Sequence, residues 1–501
     1  MNIVVRRQTA ALALHSRSAD RRPSPDDSLD RVPCFGMELL ERRILYAATY
    51  AMSDLLIEPD GSAIIVGQTS NTTEIGLWRM NPDGTVDTSF GTNGAAISEI
   101  IDDAIAIART DDGRYLVAGN TEATGSLVIC LFRFNADGTI DTSWGDDGRV
   151  VQAPGAGDMG WAVSIADNRK ILVGGSGASD HTTSFARFHA DGRLDTSFGN
   201  GGSVVTQLRD EDFVQQITYA DDGSALILST GRKNDYILRF NADGTLDTSF
   251  GTEGRVAVRA DEGDMGGRTR GFALLADGGF VATGSALLDG RHAIAVSRFN
   301  AEGSVDTSFG DDGVAFVGHG SDHLVGSSLD VRSDGKIIVG GTLSPLDLAI
   351  GNHTDPRVDV AVAELFPDGT LDTSFGDAGI QTTDMGHYDM AGEVRVAPDG
   401  TIILAGTSDQ VSVVARYTGG APVPAGEPQP ELAPEPAPEP EPAPTDGSEN
   451  VSTTILASVD PLLSLNADDD ARGSAFSLLS ASSSDLLDGD ADEDELLPAS
   501  R

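Results

Sequence analysis

The chain has 501 residues, of which 22% are charged, and 78 Asp and Glu against 34 Lys and Arg give a formal net charge of −44. A polyanion of this size is repelled by nucleic acid and by anionic lipid headgroups, so we expect neither as a partner. No apolar stretch reaches the roughly 20 residues that span a bilayer, so we predict no transmembrane segment.

Residues 1–50 are rich in arginine and irregular in pattern. The apolar stretch after Arg6 and Arg7 is too short and too polar for the hydrophobic region of a signal peptide, so we predict no clear signal peptide. The two cysteines, Cys34 and Cys130, lie in different regions and predict no disulfide framework. Cys130 sits in the apolar run SLVICLFRF, which favours a buried free thiol.

One motif recurs six times between residues 51 and 417. Its copies follow one another at similar intervals, which indicates tandem repeats. They are NPDGTVDTSFG (Asn81–Gly91), NADGTIDTSWG (Asn135–Gly145), HADGRLDTSFG (His189–Gly199), NADGTLDTSFG (Asn241–Gly251), NAEGSVDTSFG (Asn300–Gly310) and FPDGTLDTSFG (Phe366–Gly376). We call these segments the junctions.

A second motif lies between the junctions and occurs seven times, from Ile57–Thr69 to Val396–Ser408. Six copies carry Asp-Gly between apolar runs, and the third has Asp167-Asn168 instead. This pattern predicts a β-hairpin, because glycine readily takes the positive φ that the turn requires, and asparagine tolerates it. We call these segments the hairpins.

One repeat unit reads as four short strands without helical periodicity. In the second unit we predict strands over Ala95–Ile100, Ala104–Arg109, Arg114–Gly119 and Leu127–Phe134. Four-stranded units of this length, repeated seven times, predict an all-β protein, a seven-bladed β-propeller with four antiparallel strands in each blade. The alternative is an open solenoid, which needs atypical capping repeats at its ends, and none is evident.

The composition changes again after the repeats. Residues 418–445 are rich in proline and glutamate and predict an extended linker, and residues 446–501 form an acidic tail. From Gly419 to Arg501 there are 18 acidic residues against Arg472 and Arg501. High charge with little apolar surface predicts disorder. The predicted organisation is therefore an N-terminal segment (1–50), a propeller (51–417), a linker and a tail.

The repeats closely resemble the delta-60 repeat family over essentially all of residues 51–417, through the core RFNADGTLDTSFG. That resemblance implies an uncharacterised bacterial β-propeller repeat that is often found in large surface or secreted proteins. The segment MELLERRILYAA (Met37–Ala48) is similar to the LEPR-XLL motif of large, repetitive, exported proteins of planctomycete-like bacteria, with Arg42 where that family has proline. Neither resemblance supplies a catalytic residue.

The repeated side chains have a structural interpretation. The junction aromatics are expected to fill the space between neighbouring blades, each contributing roughly 2–3 kcal/mol of burial, rather than to stack on a ligand. The paired aspartates, such as Asp137 with Asp141 and Asp243 with Asp247, loosely resemble a calcium loop but lack its further oxygen ligands. Turn chemistry explains them more simply, and calcium at these turns is the alternative. The aromatics are Phe90, Trp144, Phe198, Phe250, Phe309 and Phe375.

The connections of an antiparallel meander alternate between two faces of the ring. Hairpins and junctions therefore share one face, the uniform face, and the connections of varying length share the other, the variable face. The largest insertion there is Ser344–Arg357, in the sixth unit. Non-repeating loops on a rigid frame are the better binding candidates. The candidate metal or ligand residues on this face are Asp158, Asp212, Asp264, His319, Asp322, His323, His353, Asp384 and His387.

These candidates also have a plainer interpretation as solvated loop residues. His319 and His323 stand four apart in HGSDH, which pairs zinc ligands on a helix. Here the spacing falls in a predicted loop, and no third ligand is fixed by sequence. We therefore assign no catalytic, cofactor-binding or metal residue, and we predict no cofactor.

Nucleophile elbows, phosphate loops and zinc-protease motifs are absent from the sequence. We therefore expect a non-catalytic, monomeric propeller that acts as a structural or ligand-interaction module at the cell surface or outside the cell, with an unknown protein or glycan ligand on the variable face. One alternative is a glycan hydrolase or lyase that uses carboxylates in the propeller funnel. Another is a calcium-stabilised adhesion module.

Overall fold

The computed structural model describes residues 49–69, 75–98, 103–122, 127–152, 159–176, 182–207, 213–231, 234–258, 269–288, 290–345, 357–385, 388–408 and 411–417. These residues form strands and turns, with no helix among them. The predicted N-terminal segment up to Ala48, the linker and the tail lie outside the described residues.

The described strands form seven antiparallel sheets, which we call blades one to seven. Blade one contains β1 (Thr49–Ile57), β2 (Ala63–Thr69), β3 (Ile75–Met80) and β4 (Ala95–Ser98); blade two, β5 (Asp103–Arg109), β6 (Tyr115–Glu122), β7 (Leu127–Phe134) and β8 (Arg149–Gln152); and blade three, β9 (Met159–Ile165), β10 (Ile171–Ser176), β11 (Thr182–Phe188) and β12 (Ser203–Gln207). Blade four contains β13 (Phe213–Tyr219), β14 (Ala225–Thr230), β15 (Asp235–Phe240) and β16 (Arg255–Ala257); and blade five, β17 (Thr269–Leu274), β18 (Phe280–Leu288), β19 (Arg291–Phe299) and β20 (Val314–Val317). Blade six contains β21 (His323–Val331), β22 (Ile337–Ser344), β23 (Asp359–Leu365) and β24 (Ile380–Thr383), and blade seven contains β25 (Asp389–Val396), β26 (Ile402–Ser408) and β27 (Val411–Tyr417).

The blades are arranged in a closed ring. The first strand of each blade contacts the first strand of the next, and β25 of blade seven contacts β1 of blade one. The predicted seven-bladed propeller is therefore confirmed. The predicted repeat unit is out of phase by one strand, because Ala95–Ser98 pairs with β3 and completes blade one rather than joining the strands of blade two.

The hairpins follow the predicted turn chemistry with one correction. In the first hairpin Gly61 takes a φ of 83°, and the backbone N–H of Ser62 donates to Asp60 Oδ1 at 2.9 Å. In the third hairpin, Asn168 takes the place of the aspartate and accepts from the N–H of Lys170 at 3.1 Å. The positive φ, 62°, falls on Arg169 rather than on Asn168. The prediction that asparagine replaces the glycine is wrong by one residue.

The hydrophobic core lies mainly between blades. Phe90 of blade one, for example, packs in one cluster with Val117 and Phe132 of blade two. Equivalent clusters join blades two and three around Trp144, three and four around Phe198, four and five around Phe250, and five and six around Phe309. The predicted packing role is thus confirmed for these five junction aromatics, and Cys130 is buried in the cluster around Phe90, as predicted.

Each first strand contains a β-bulge at the same place, where its register against the second strand shifts. From blade one to blade seven, the extra residues are Ser53, Ile105, Trp161, Gln215, Arg270, Ser327 and Gly392. A bulge leaves one residue without a cross-strand partner and redirects the side chains beside it. The innermost strands can therefore direct side chains toward the neighbouring blade.

Candidate functional site

Hairpins and junctions lie against each other on the uniform face. Gly61 of the first hairpin lies against Pro82 of the first junction, and Gly335 of the sixth hairpin lies against Pro367. Successive blades are also joined here, because the N–H of Gly91 donates to the backbone oxygen of Asp137 in the next blade at 2.7 Å. This face is therefore largely committed to contacts within the ring.

The repeated aspartates of the junctions are held by their own turns. Asp141 accepts from the N–H and hydroxyl of Ser143 at 3.1 and 2.5 Å and from the Arg133 guanidinium at 2.7 Å. Asp137 accepts from the N–H and hydroxyl of Thr139 at 2.9 and 2.6 Å. The Thr139 hydroxyl and N–H lower the pKa of Asp137, so its carboxylate form is stabilised. This geometry supports the turn interpretation of these residues.

Blade six has an acidic residue in place of the arginine that pairs with the junction aspartate in other blades. Glu364 stands where the six other blades have arginine, and Lys336 of the hairpin binds both Glu364 at 2.7 Å and Asp372 at 2.6 Å. Burial acts to raise the pKa of Asp372, but hydrogen bonds from Lys336 and Ser374 outweigh it and lower the value to about 2. The same position therefore keeps an ion pair through a different set of residues.

Four of the candidates predicted on the variable face, His319, Asp322, His323 and Asp384, lie among the described residues. His323 begins β21 and is buried; its Nδ1 accepts the backbone N–H of His292 at 3.1 Å. His319 is about one-third exposed, and its Nδ1 lies 3.9 Å from Asp322 Oδ2. The two histidines of HGSDH therefore have separate partners in the structure. Five candidates lie outside the described residues: Asp158, Asp212, Asp264, His353 and His387.

Asp384 lies in a group of three carboxylates between blades six and seven. Asp359 begins β23, Asp384 follows β24 and Asp389 begins β25, and one oxygen from each lies within 4.8 Å of the others. Asp389 is fully buried, and its Oδ2 accepts the N–H of Met385 at 2.6 Å. Each of the three also interacts with other groups of the protein. Oxygen ligands at this separation are chemically suited to a hard cation such as calcium.

The innermost strands hold a second charged group near the axis of the ring. Arg395 of blade seven binds Glu393 at 2.6 Å and lies 3.8 Å from Asp54 of blade one. Burial raises the pKa of Asp54 to about 6, against the opposing attraction of Arg395. Burial likewise raises the pKa of Asp330 in blade six. We call Asp54, Asp330, Glu393 and Arg395 the axial cluster.

The axial carboxylates also connect one blade to the next. Asp54 accepts the N–H of Ile107 in blade two at 2.9 Å, and Asp330 accepts the N–H of Val396 in blade seven at 2.8 Å. Gln216 of blade four makes the same kind of contact with Phe272 of blade five. Its Nε2 donates to the backbone oxygen of Phe272 at 2.8 Å, and its Oε1 accepts the backbone N–H of Phe272 at 3.0 Å. These hydrogen bonds therefore link neighbouring blades along the inner wall of the ring.

Asp359, Asp389 and the axial cluster are not among the candidates predicted from the sequence. Asp359 and Asp389 each begin a strand directly after a variable connection, and that position is visible in the sequence only once the strand bounds are known. The axial residues lie at or beyond the bulges, which shift the alternation of inward and outward side chains. A period-two pattern alone does not predict which of them face the axis.

The fold and the repeated contacts define a β-propeller repeat protein. Six segments match a family model described as "Domain of unknown function (DUF5122) beta-propeller": residues 58–90, 110–143, 167–198, 229–250, 275–309 and 332–375. Most of these matches run from a hairpin to the junction of the same blade. No curated protein matches the chain. Within the described part of the chain, no helix is long and apolar enough to cross a membrane.

Proposed function

We propose that the protein is a non-catalytic interaction module that binds a protein or glycan ligand on the variable face. The observation that carries this proposal is the contrast between the two faces. On the uniform face, the repeated aspartates and arginines bind each other and their own turns. On the variable face, residues that do not repeat gather at one place, and Asp384 among them is exposed.

We further propose that the repeats are of the delta-60 type, that residues 37–48 form a LEPR-XLL motif, and that the protein works at the cell surface or outside the cell. The repeated RFNADGTLDTSFG core and the acidic composition support this location, since both families that the chain resembles are associated with exported proteins. Labelling of intact cells with an impermeant amine reagent tests it. Recovery of the protein mainly as an unlabelled species in the cytoplasmic fraction would contradict it.

Binding to arrays of neutral and acidic glycans tests the ligand proposal, with and without calcium. Asp384→Lys reverses an exposed charge on the variable face, and Asp243→Lys makes the same change at an exposed position on the uniform face. We expect the first variant to weaken binding at least tenfold and the second to leave it unchanged. Equal effects of the two variants would place the ligand elsewhere, and loss of binding in EDTA would indicate a bridging cation.

A second candidate function is glycan hydrolysis at the axial cluster. It is favoured by one observation, the raised pKa of Asp54, because a carboxyl that titrates near 6 suits a general acid. Hydrolysis of a labelled glycan that is lost in Asp54→Asn and in Glu393→Gln, while both variants remain folded, would support it. The blade-to-blade hydrogen bonds of Asp54 and Asp330 favour the structural role instead.

A further inference from the structure

Blade seven differs from the other six at its outer edge. In blades one to six the third strand pairs with an outer fourth strand; in blade six, for example, Ala363 pairs with Ile380. Among the described residues, blade seven consists of β25, β26 and β27 alone, so β27 is the edge strand of its sheet. A sheet edge presents backbone donors and acceptors that can pair with another strand.

Arg416, near the end of this edge strand, indicates that a junction belongs here. Blades one to five have arginine at this position, and each arginine binds the aspartate of its own junction, as Arg133 binds Asp141 at 2.7 Å. Arg416 occupies the same place in blade seven, where the chain has no seventh junction after Tyr417. Its Nη2 donates to the backbone oxygen of Gly61 at 3.3 Å, whereas its Nη1 is buried without a hydrogen-bond partner among the described residues.

The interface between blades seven and one is also different. Its cluster contains Leu55, Met80 and Val414, and no junction aromatic is among its described members. The interfaces around Phe90, Trp144, Phe198, Phe250 and Phe309 each contain one. Among the described residues, blade seven therefore lacks three things: an aromatic at this interface, a hydrogen-bond partner for the Arg416 Nη1, and an outer strand. In the other blades one junction and the strand after it supply all three.

The spacing of the chain before β1 matches these missing parts. In the six junctions the outer strand begins five residues after the aromatic, as Ala95 follows Phe90 and Ile380 follows Phe375. The interval from the aromatic to the positive-φ residue of the next hairpin is shortest between Phe90 and Gly113 (113 − 90 = 23) and longest between Phe250 and Gly278 (278 − 250 = 28). The interval from Phe35 to Gly61 (61 − 35 = 26) lies within this range, so the pair Phe35-Gly36 has the spacing of a junction.

We propose that residues 35–43 of the same chain complete blade seven, with Phe35 as the aromatic between blades seven and one and with an outer strand that begins at Leu40 (35 + 5 = 40). A four-residue strand would leave 44–48 before β1. The connections between other outer strands and the next blade include the shorter 99–102 and the longer 258–268, so this length fits. The six junctions have glycine directly before the outer strand, whereas Leu39 stands at that position here. We therefore assign the aromatic and the strand to this segment, but not the turn between them.

The register of the outer strand gives the test. Its first residue pairs with the third-strand residue two positions before the strand end, as Ile380 pairs with Ala363. Leu40 should therefore face Ala415. In the full-length chain with Cys34→Ser, we expect Leu40→Cys with Ala415→Cys to form an intramolecular disulfide under mild oxidation, because directly paired residues meet the required Cβ separation. Glu41→Cys with Ala415→Cys, in the same Cys34→Ser background, is the matched control. This pair is out of register by one residue, so its side chains would point to opposite faces of the sheet.

Mass spectrometry of the oxidised protein separates the outcomes. An intramolecular link in the first pair and much less in the control supports the proposal. A disulfide-linked dimer would show that the segment of a second copy occupies the edge, and a folded protein without the link would overturn the pairing. Phe35→Ala provides an independent measurement: we expect faster hydrogen exchange in β27, whereas Phe366→Ala, at an exposed junction position, should leave exchange in β27 unchanged.

Discussion

At the scale of single residues, Asp54 shows how the ring places a charge in an unfavourable position. Its side chain is 19% exposed, and burial raises its pKa from 3.8 to about 6. The folded protein therefore holds this proton more tightly than the unfolded chain does. The resulting destabilisation is absent below about pH 4, grows between pH 4 and 6, and is complete above pH 6.

We expect Asp54→Asn to stabilise the protein at pH 7.5 by about 3 kcal/mol, since the pKa of Asp54 rises from 3.8 to about 6, each pKa unit corresponds to about 1.4 kcal/mol, and asparagine still accepts the N–H of Ile107. At pH 4.5 the difference should fall to about 1 kcal/mol, because Asp54 is then protonated in the folded state and ionised only in the unfolded chain. Urea unfolding at both pH values measures the difference. Asp311→Asn, at an exposed turn, is the control for loss of one negative charge, and a stabilisation by Asp54→Asn that does not vary with pH would contradict the explanation.

At the scale of elements, the junction is specified by its glycines as much as by its aromatic. Gly138 has a φ of 83°, and a Cβ there would lie 2.9 Å from the backbone nitrogen of Gly91 and 3.0 Å from the Phe90 ring. Gly400 of the seventh hairpin has nearly the same φ, 86°, but a Cβ there would meet nothing within 4 Å. The two positions therefore separate backbone strain from contact between blades.

We expect Gly400→Ala to cost about 1–2 kcal/mol, the strain of a left-handed alanine. Gly138→Ala should cost at least about 1 kcal/mol more than Gly400→Ala, because the added methyl group must also displace the Phe90 ring from a closely packed interface. Denaturant unfolding of both variants measures the two free energies. Equal losses would show that the turn conformation alone selects glycine at this position and that the contact with blade one contributes little.

The same elements show how far sequence can predict this structure. Hairpins, junctions and buried aromatics repeat, so each copy supports the interpretation of the others, and blade number and core position follow. The phase of the unit did not follow, because the chain order is the same whether Ala95–Ser98 joins the blade before it or the blade after it. The axial cluster also escaped prediction, since it depends on bulges in the first strands that leave no periodic signal.

The carboxylates between blades six and seven were predictable only in part, for a related reason. Asp384 can be picked out in the sequence as a polar residue in a variable connection. Asp359 and Asp389 lie beside it only because the fold brings separate segments of the chain together. Asp359 begins β23 of blade six and Asp389 begins β25 of blade seven, with the whole of β24 between them in the sequence. Sequence gives the type of each residue and its loop, whereas the ring determines which loops meet.

At the scale of the whole molecule, the position of the core predicts how the protein unfolds. Because the large clusters lie between blades, each blade is stabilised by two neighbours, and no blade is at an end. In an open solenoid the terminal repeats have one neighbour, and stability changes by increments as repeats are removed. In a closed ring, removal of one blade exposes both adjoining faces and leaves a gap of about one-seventh of a turn.

We therefore expect a chain that ends at Met385, without blade seven, to lose cooperative folding. A chain that ends at Tyr417, without the linker and tail, should unfold in one transition with the same midpoint and m-value as the full chain. Urea unfolding followed by circular dichroism and by tryptophan fluorescence measures both, and coincident curves indicate a single cooperative unit. The opposite outcome is that the chain ending at Met385 unfolds in one sharp transition with an m-value about one-seventh lower. This result would contradict the expectation, because it would show that the interfaces that close the ring contribute little to its stability.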